Sequence, residues 1–191
     1  MYEPFEEGIE VNGTTINSVI SSVPSLSFLV EKYFIEAGLP IPSKIEMDNW
    51  YSQAKWLNVF KLITDKTGSN TLLNIGKKIP DWAIFPTDIS SIEEALQSID
   101  IAYHMNHRNA KGQVLYDNGI LLEGIGHYEY HKVSEEHLIT MICQNPYPCD
   151  FDRGIISAMA QKFQPSAIIT HDMTKECRKK GDNSCTFLIK W

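Results

Sequence analysis

The run Leu138-Ile-Thr-Met-Ile-Cys-Gln-Asn-Pro-Tyr-Pro-Cys-Asp-Phe-Asp-Arg-Gly-Ile-Ile-Ser-Ala-Met-Ala-Gln-Lys-Phe163 changes its hydrophobic rhythm halfway along. Leu138–Cys143 reads as a strand with an alternating pattern. From Arg153 to Phe163 the apolar residues Ile155, Ile156, Met159, Ala160 and Phe163 recur on one side of a helix, which Asp152 can cap and Pro165 ends. Asn145-Pro146-Tyr147-Pro148 turns the corner between them. A strand that feeds a crossing helix is the seed of a sheet covered on one face.

Two further strands follow, Ala167–His171 and Thr186–Trp191, and two precede, Val114–Tyr116 and Ile120–Tyr130. Turn signals at Asp117-Asn118-Gly119 and at Ser134–Glu136 separate the earlier ones. Upstream of Gly112 the texture is helical. Leu26, Leu29, Val30, Tyr33, Phe34 and Ala37 keep helical spacing until Gly38 and Pro40 stop it, and Asn49 to Thr64 repeats the pattern. Thr71 to Ile79 is a shorter helix ended by Pro80. Ser91-Ile-Glu-Glu94 has capping-box spacing and opens a helix to about Asn106. Residues 1–20 are ambiguous, with Asn12-Gly13 placed to turn a hairpin. Helices first, then strands around a crossing helix, imply an α+β fold with an N-terminal helical layer packed on a twisted antiparallel sheet. The reading is of one domain over residues 1–191, mostly helical in 1–110, with the sheet and the cysteine site in 111–191.

The formal net charge is -7, which disfavours nucleic acid or an anionic membrane as a general partner. No apolar run approaches the roughly 18 residues of a membrane span. The opening Met-Tyr-Glu-Pro-Phe-Glu-Glu is acidic where a secretory signal would be basic and then apolar. The expectation is a cytoplasmic protein with reduced thiols.

All four cysteines, Cys143, Cys149, Cys177 and Cys185, fall in the last quarter of the chain. In a reducing compartment such a cluster points to metal, to reactivity or to core packing before it points to disulfides. Cys177 and Cys185 flank Arg-Lys-Lys-Gly-Asp-Asn-Ser, a turn-rich loop that can bring its ends together as adjacent zinc ligands require. Cys149 would join from the strand-to-helix corner. The fourth ligand is open between His171, Asp172 and Glu176, in that order of chemical preference. Cys143 reads as a strand core residue.

At these residues a resemblance enters. Cys149-Asp-Phe-Asp-Arg-Gly154, a small-residue helix, and Glu-Cys177-Arg-Lys-Lys-Gly181-Asp-Asn-Ser-Cys185-Thr-Phe resemble the 4-vinyl reductase domain. That family includes the sensor modules of aromatic-responsive transcription activators, and it shares a fold with TRAPP vesicle-tethering subunits and with heme-nitric-oxide-binding sensors. The resemblance covers about 55 residues and implies a structural zinc at Cys149, Cys177 and Cys185. The family's carboxylate ligand lies shortly before the second cysteine, where this chain is two residues longer. The resemblance therefore leaves the fourth ligand open, and His171, the best chemical candidate, completes the expected set.

The remaining histidines have plainer explanations. His104 and His107 end the Ser91 helix and read as solvated helix-end residues, with a ligand anchor as the alternative. His127 and His131 share one strand face about 13 Å apart, too far to chelate one ion, and read as cross-strand packing. Heme is not expected. The related sensors carry a Tyr-x-Ser-x-Arg propionate motif where this chain reads Met141-Ile-Cys-Gln-Asn-Pro, and Tyr103 falls where their proximal histidine belongs, with His104 one residue out of register. No Gly-x-Ser-x-Gly, phosphate-binding loop or His-Glu-x-x-His is present, so no catalytic residue is assigned.

The expected function is a sensor or adaptor that binds a small apolar or aromatic molecule between helix and sheet. It would act on a signalling protein partner, as a homodimer. The alternatives are a TRAPP-like dimeric scaffold without ligand, and a tetrapyrrole-handling or heme-binding protein.

Overall fold

The computed structural model describes residues 1–22, 27–133 and 137–191, and the statements below concern those residues. The strand at the centre of the sequence reading, β7 (Leu138–Gln144), is the pivot of the sheet. It pairs antiparallel with β6 (His127–Val133) on one side and β9 (Cys185–Lys190) on the other, and β8 (Ile168–His171) completes the order β6-β7-β9-β8. Ile139, Met141 and Cys143 point to the buried face, in register with Ile189, Phe187 and Cys185. That alternation is what a sheet covered on one face produces.

Helix α6 (Cys149–Phe163) crosses the covered face, and α5 (Ile92–Met105) packs on both α6 and β6. Ser91 caps α5 by accepting from the Glu94 N–H at 3.2 Å, as the capping spacing implies. Glu94, however, reaches the N–H and hydroxyl of Ser90 rather than the Ser91 backbone. The outer layer consists of α1 (Gly13–Ser22), α2 (Ser27–Glu36), α3 (Gln53–Thr67) and α4 (Ser69–Lys78). An aromatic column links it to α6. Phe34, Trp56 and Phe60 stand edge to face, and Phe60 meets the Phe151 ring at 4.7 Å between centroids. Each of these rings contributes about 2–3 kcal/mol of apolar burial, plus the directional edge-to-face term.

Helices α4 and α6 touch backbone to backbone. A Cβ on Gly76 would overlap the Phe151 carbonyl, and one on Gly154 would overlap the Leu73 carbonyl. Gly154 of the cysteine motif and Gly76 together let the two helices meet.

The α+β expectation agrees with this architecture, and several local expectations change. Asn12-Gly13 turns no hairpin. β1 (Glu10–Asn12) ends there and α1 begins, because the Asn12 side chain accepts from the Thr14 N–H and hydroxyl and so caps the helix. The helical half also contains a second sheet, β2-β1-β3, built from β1, β2 (Trp50–Ser52) and β3 (His107–Arg108). The strand expected over Ile120–Tyr130 is broken. Tyr116–Asp117 and Ile120–Leu121 form a two-stranded ribbon (β4 and β5), and β6 starts only at His127. Gly124 and Gly126, at φ 123 and 77, bend the chain between them in a conformation side chains resist. Helix α6 begins at Cys149, not after Asp152, so Asp152 is no cap. Pro148 occupies the capping position without a side-chain bond. Leu26 and the turn signal at Ser134–Glu136 lie outside the described residues.

Candidate metal centre

The corner Asn145–Pro148 sets Cys149 at the first turn of α6, buried beneath the loop that joins β8 to β9. Cys185 opens β9, and Cys177 lies just before a short 3-10 turn (Arg178–Lys180) that Gly181 closes in the left-handed region at φ 95. That turn doubles the chain back between the two cysteines. The Cys149 and Cys185 sulfurs stand 3.0 Å apart, and Cys185 and Cys177 stand 4.0 Å apart. His171 ends β8, and its ring stacks on Phe187 at 4.6 Å between centroids. One ligand atom from each of Cys149, His171, Cys177 and Cys185 lies within 4.8 Å of the other three.

Tetrahedral zinc with sulfur ligands at about 2.3 Å sets neighbouring sulfurs about 3.8 Å apart. The cluster therefore needs to open only slightly at the Cys149–Cys185 pair. Burial leaves the His171 Nε2 without a hydrogen-bond partner, and such a nitrogen costs free energy unless something is bound to it. Neither alternative fourth ligand is free. The Asp172 carboxylate accepts from the Thr174 N–H and hydroxyl, and Glu176 accepts from the Ser184 hydroxyl. Cys143 lies in the neighbouring strand opposite Cys185 and is absent from the cluster.

The electrostatics favour a thiolate here. Hydrogen bonding from Cys149, and then the charge and N–H groups of Arg178, pull the Cys185 thiol well below its ordinary value, while Cys149, as the donor, is pushed up. The Arg178 N–H and Nε reach the Cys185 sulfur at 3.3 and 3.5 Å. Sequence reasoning passed over Arg178. It is buried, and its guanidinium also binds the carbonyls of Asn145 and Tyr147, the Asn145 side chain and the Asp152 carboxylate. Tyr128 donates to the same Asp152 at 2.6 Å. The loop between the cysteines is thus fixed by ionic contacts to the α6 corner as well as by any metal.

The helix-end histidines are not solvated. His104 is fully buried, and His107 is 3% exposed. His107 Nδ1 donates to the Tyr103 carbonyl at 2.7 Å, and Nε2 accepts from the Tyr147 hydroxyl at 2.8 Å, an arrangement that holds the ring neutral. Burial lowers its pKa to about 4, although the backbone bond works the other way. An unfolded histidine takes up its proton near pH 6.5, so between about pH 6.5 and 4 the unfolded chain binds a proton the fold refuses. Stability is therefore expected to fall with acid across that window, by up to roughly 3 kcal/mol from this residue. Urea unfolding at a series of pH values checks it, and His107→Gln should flatten the slope.

His107 also lines a cavity of about 40 Å³ between α5, α6 and the segment after α4, with Ile99, Tyr103, Phe85, Tyr128 and Tyr147 among its walls. The ligand space was expected between helix and sheet; this cavity lies mostly among helices, with Tyr128 the four-stranded sheet's contribution to its wall, and it is small. Its polar groups are already engaged. The Tyr103 hydroxyl donates to the Ile125 carbonyl, Tyr128 to Asp152, and Asn106 bonds both the N–H and the carbonyl of Ile84.

This helix-over-sheet architecture has solved counterparts. An H-NOX protein from S. oneidensis in the Fe(II)NO ligation state is 15% identical, aligns over 94% of this chain and 98% of its own, and gives a TM-score of 0.64. An oxygen-binding H-NOX domain related to soluble guanylate cyclases, in its oxygen complex, is 14% identical over 94% of both chains, with a TM-score of 0.58. The chain has the H-NOX fold. At these identities the likeness concerns the H-NOX fold alone. No protein-family profile and no curated protein matches the chain, so the resemblance to the 4-vinyl reductase domain rests on the cysteine motifs. Among the described residues no helix of this H-NOX fold is long and apolar enough to cross a membrane.

Proposed function

We propose that the chain is a sensor or adaptor module of the H-NOX fold, organised by a structural zinc at Cys149, His171, Cys177 and Cys185. The convergence of those four donor atoms within 4.8 Å carries the reading. The unpartnered His171 nitrogen and the Arg178 N–H groups aimed at the Cys185 sulfur support it. Four protein ligands would close the ion's coordination, leaving no open position for catalysis. The ion would tie the loop between β8 and β9 to the start of α6, the helix that floors the cavity. The ligand to be sensed is a small apolar molecule in that cavity, and the output passes to a protein partner or through a homodimer. An apolar cavity of about 150 Å³ admits benzene, so side chains lining the present 40 Å³ must withdraw before an aromatic ring enters. Metal analysis of protein purified without chelator or nickel resin should return one zinc per chain. A nearly empty site, with no loss of stability under chelation, would overturn this reading.

Heme is the second reading, and the names of the structural neighbours favour it over zinc. The side chains here do not fit it. The cavity falls far short of the roughly 300–1,000 Å³ of a ligand pocket. His107, the histidine on its wall, has both nitrogens engaged, and the buried cation nearby, Arg178, is taken up by Asp152. His104 keeps a free Nε2 but is not among the residues lining the cavity. Reconstitution with hemin should therefore give no Soret band. A sharp Soret peak at one heme per chain, lost in His104→Ala or His107→Ala, would establish the heme reading instead.

A further inference from the structure

Where α5 meets β6, a second group of donors comes together from residues that the cysteine centre does not use. His127 opens β6 and lies between two carboxylates. Its Nδ1 is 3.1 Å from Asp100 of α5, and its Nε2 is 2.9 Å from Glu123. One turn along α5 from Asp100, the His104 ring faces His127 with centroids 5.1 Å apart. One ligand atom from each of Asp100, His104 and His127 lies within 4.8 Å of the other two. His104 is fully buried. Its Nδ1 is bonded to the Asp100 carbonyl at 2.8 Å, and its Nε2 has no partner. Metal-bound histidines have this arrangement: one ring nitrogen anchored to a carbonyl, the other presenting its lone pair.

We propose that Asp100, His104 and His127, with Glu123 at the mouth, form a second metal site, for a borderline divalent ion such as cobalt, nickel or zinc. Two imidazoles and carboxylates suit that class better than magnesium or calcium, which prefer oxygen alone. With the ion on the Asp100 side of His127, Glu123 accepts from the far nitrogen of that ring and offsets part of the ion's charge from outside the ligand set. The spacing is close to what an ion needs. Ligands about 2.1 Å from one centre stand roughly 3.4 Å apart, and His127 and Asp100 are already 3.1 Å apart. Asp100 is held ready by the Tyr128 N–H, which donates to its other oxygen at 2.8 Å. Access is from solvent past Glu123, whose side chain is 81% exposed, while His104 closes the inner side. An ion here would clamp α5 to the sheet, and α5 supplies Ile99, Ala102 and Tyr103 to the cavity wall. Occupancy would therefore set how far that wall can move.

Cobalt is the probe, added to zinc-loaded protein and followed by calorimetry, visible absorption and imidazole proton NMR. One further equivalent should bind, with weak visible bands, no sulfur-to-cobalt charge-transfer band, and broadened signals of His104 and His127. The part-exposed His127→Ala should weaken that binding by roughly 10- to 100-fold, and Cys143→Ser should leave it unchanged. His104→Gln, at the buried position, should weaken it likewise if the variant folds, but His127→Ala carries the decision. No further equivalent, unchanged affinity in His127→Ala, or cobalt reported only through sulfur charge transfer would each overturn the site. Because the charge-transfer band reports the cysteine centre separately, failure of one centre is distinguishable from failure of the other.

Discussion

Cys177→Ser and Cys185→Ser are each expected to lose the zinc and to destabilise the fold by at least about 4 kcal/mol, the scale on which structural metals act. The loss follows from what the proposed ion would hold. Cys177 and Cys185 bound a loop with little apolar burial of its own, and Cys149 belongs to the first turn of α6. Without the ion the His171 nitrogen stays buried with no partner, and the three buried sulfurs keep only the Cys149–Cys185 contact and the Arg178 N–H groups. Cys143→Ser keeps the metal, because Cys143 stands apart from the donors. It costs only the burial of a hydroxyl in the β7 core, about 1–3 kcal/mol. His171→Ala separates two arrangements. Weakened zinc retention assigns the fourth place to His171, and full retention points to Asp172, a water or a three-cysteine arrangement. Zinc content by mass spectrometry and urea unfolding of the same preparations check both.

Arg178→Met is expected to cost about 3–5 kcal/mol, since it leaves the Asp152 carboxylate buried without its cation. Burial already raises the Asp152 pKa, and Arg178 is the largest opposing influence. In the variant the carboxyl moves further up and takes a proton. A carboxyl whose folded pKa exceeds its unfolded value of about 3.9 binds the proton more tightly when folded. Stability of the variant therefore rises, relative to the parent, as the pH falls toward that value, and is lost as the pH climbs through the folded pKa. Adding Asp152→Asn should recover part of the loss at neutral pH. Equal urea midpoints for parent and Arg178→Met between pH 5 and 8 would refute the ionic role.

Local elements were legible where a residue's own neighbours settle its conformation. Ser91 caps α5 through a side chain three residues from its partner, and Ile139, Met141 and Cys143 share a face because side chains alternate along a strand. Thiolate chemistry and the turn-forming loop left metal, reactivity and core packing open, the resemblance to the 4-vinyl reductase domain singled out the three cysteines, and the fold brings them together with His171. Asn12 misled because Asn-Gly serves hairpins and helix starts alike, and only the rest of the fold distinguishes them. Asp152 looked like a cap since its position before an apolar run suits one, but the helix had already begun at Cys149 and a distant arginine claimed the carboxylate.

By itself the sequence determined the α+β class and the strand-to-helix corner over Asn145–Pro148, and it singled out the candidate donors Cys149, His171, Cys177 and Cys185. Tertiary structure decided the burial of His104 and His107, the Arg178–Asp152 pair and the meeting of Asp100 with His127. The reason is physical. Hydrophobic period, caps and turns report dihedral preferences set within about four residues. The pairs that form the candidate sites are separated by 26, 27 and 36 residues, and nothing short of the packed sheet and its covering helices brings them into contact.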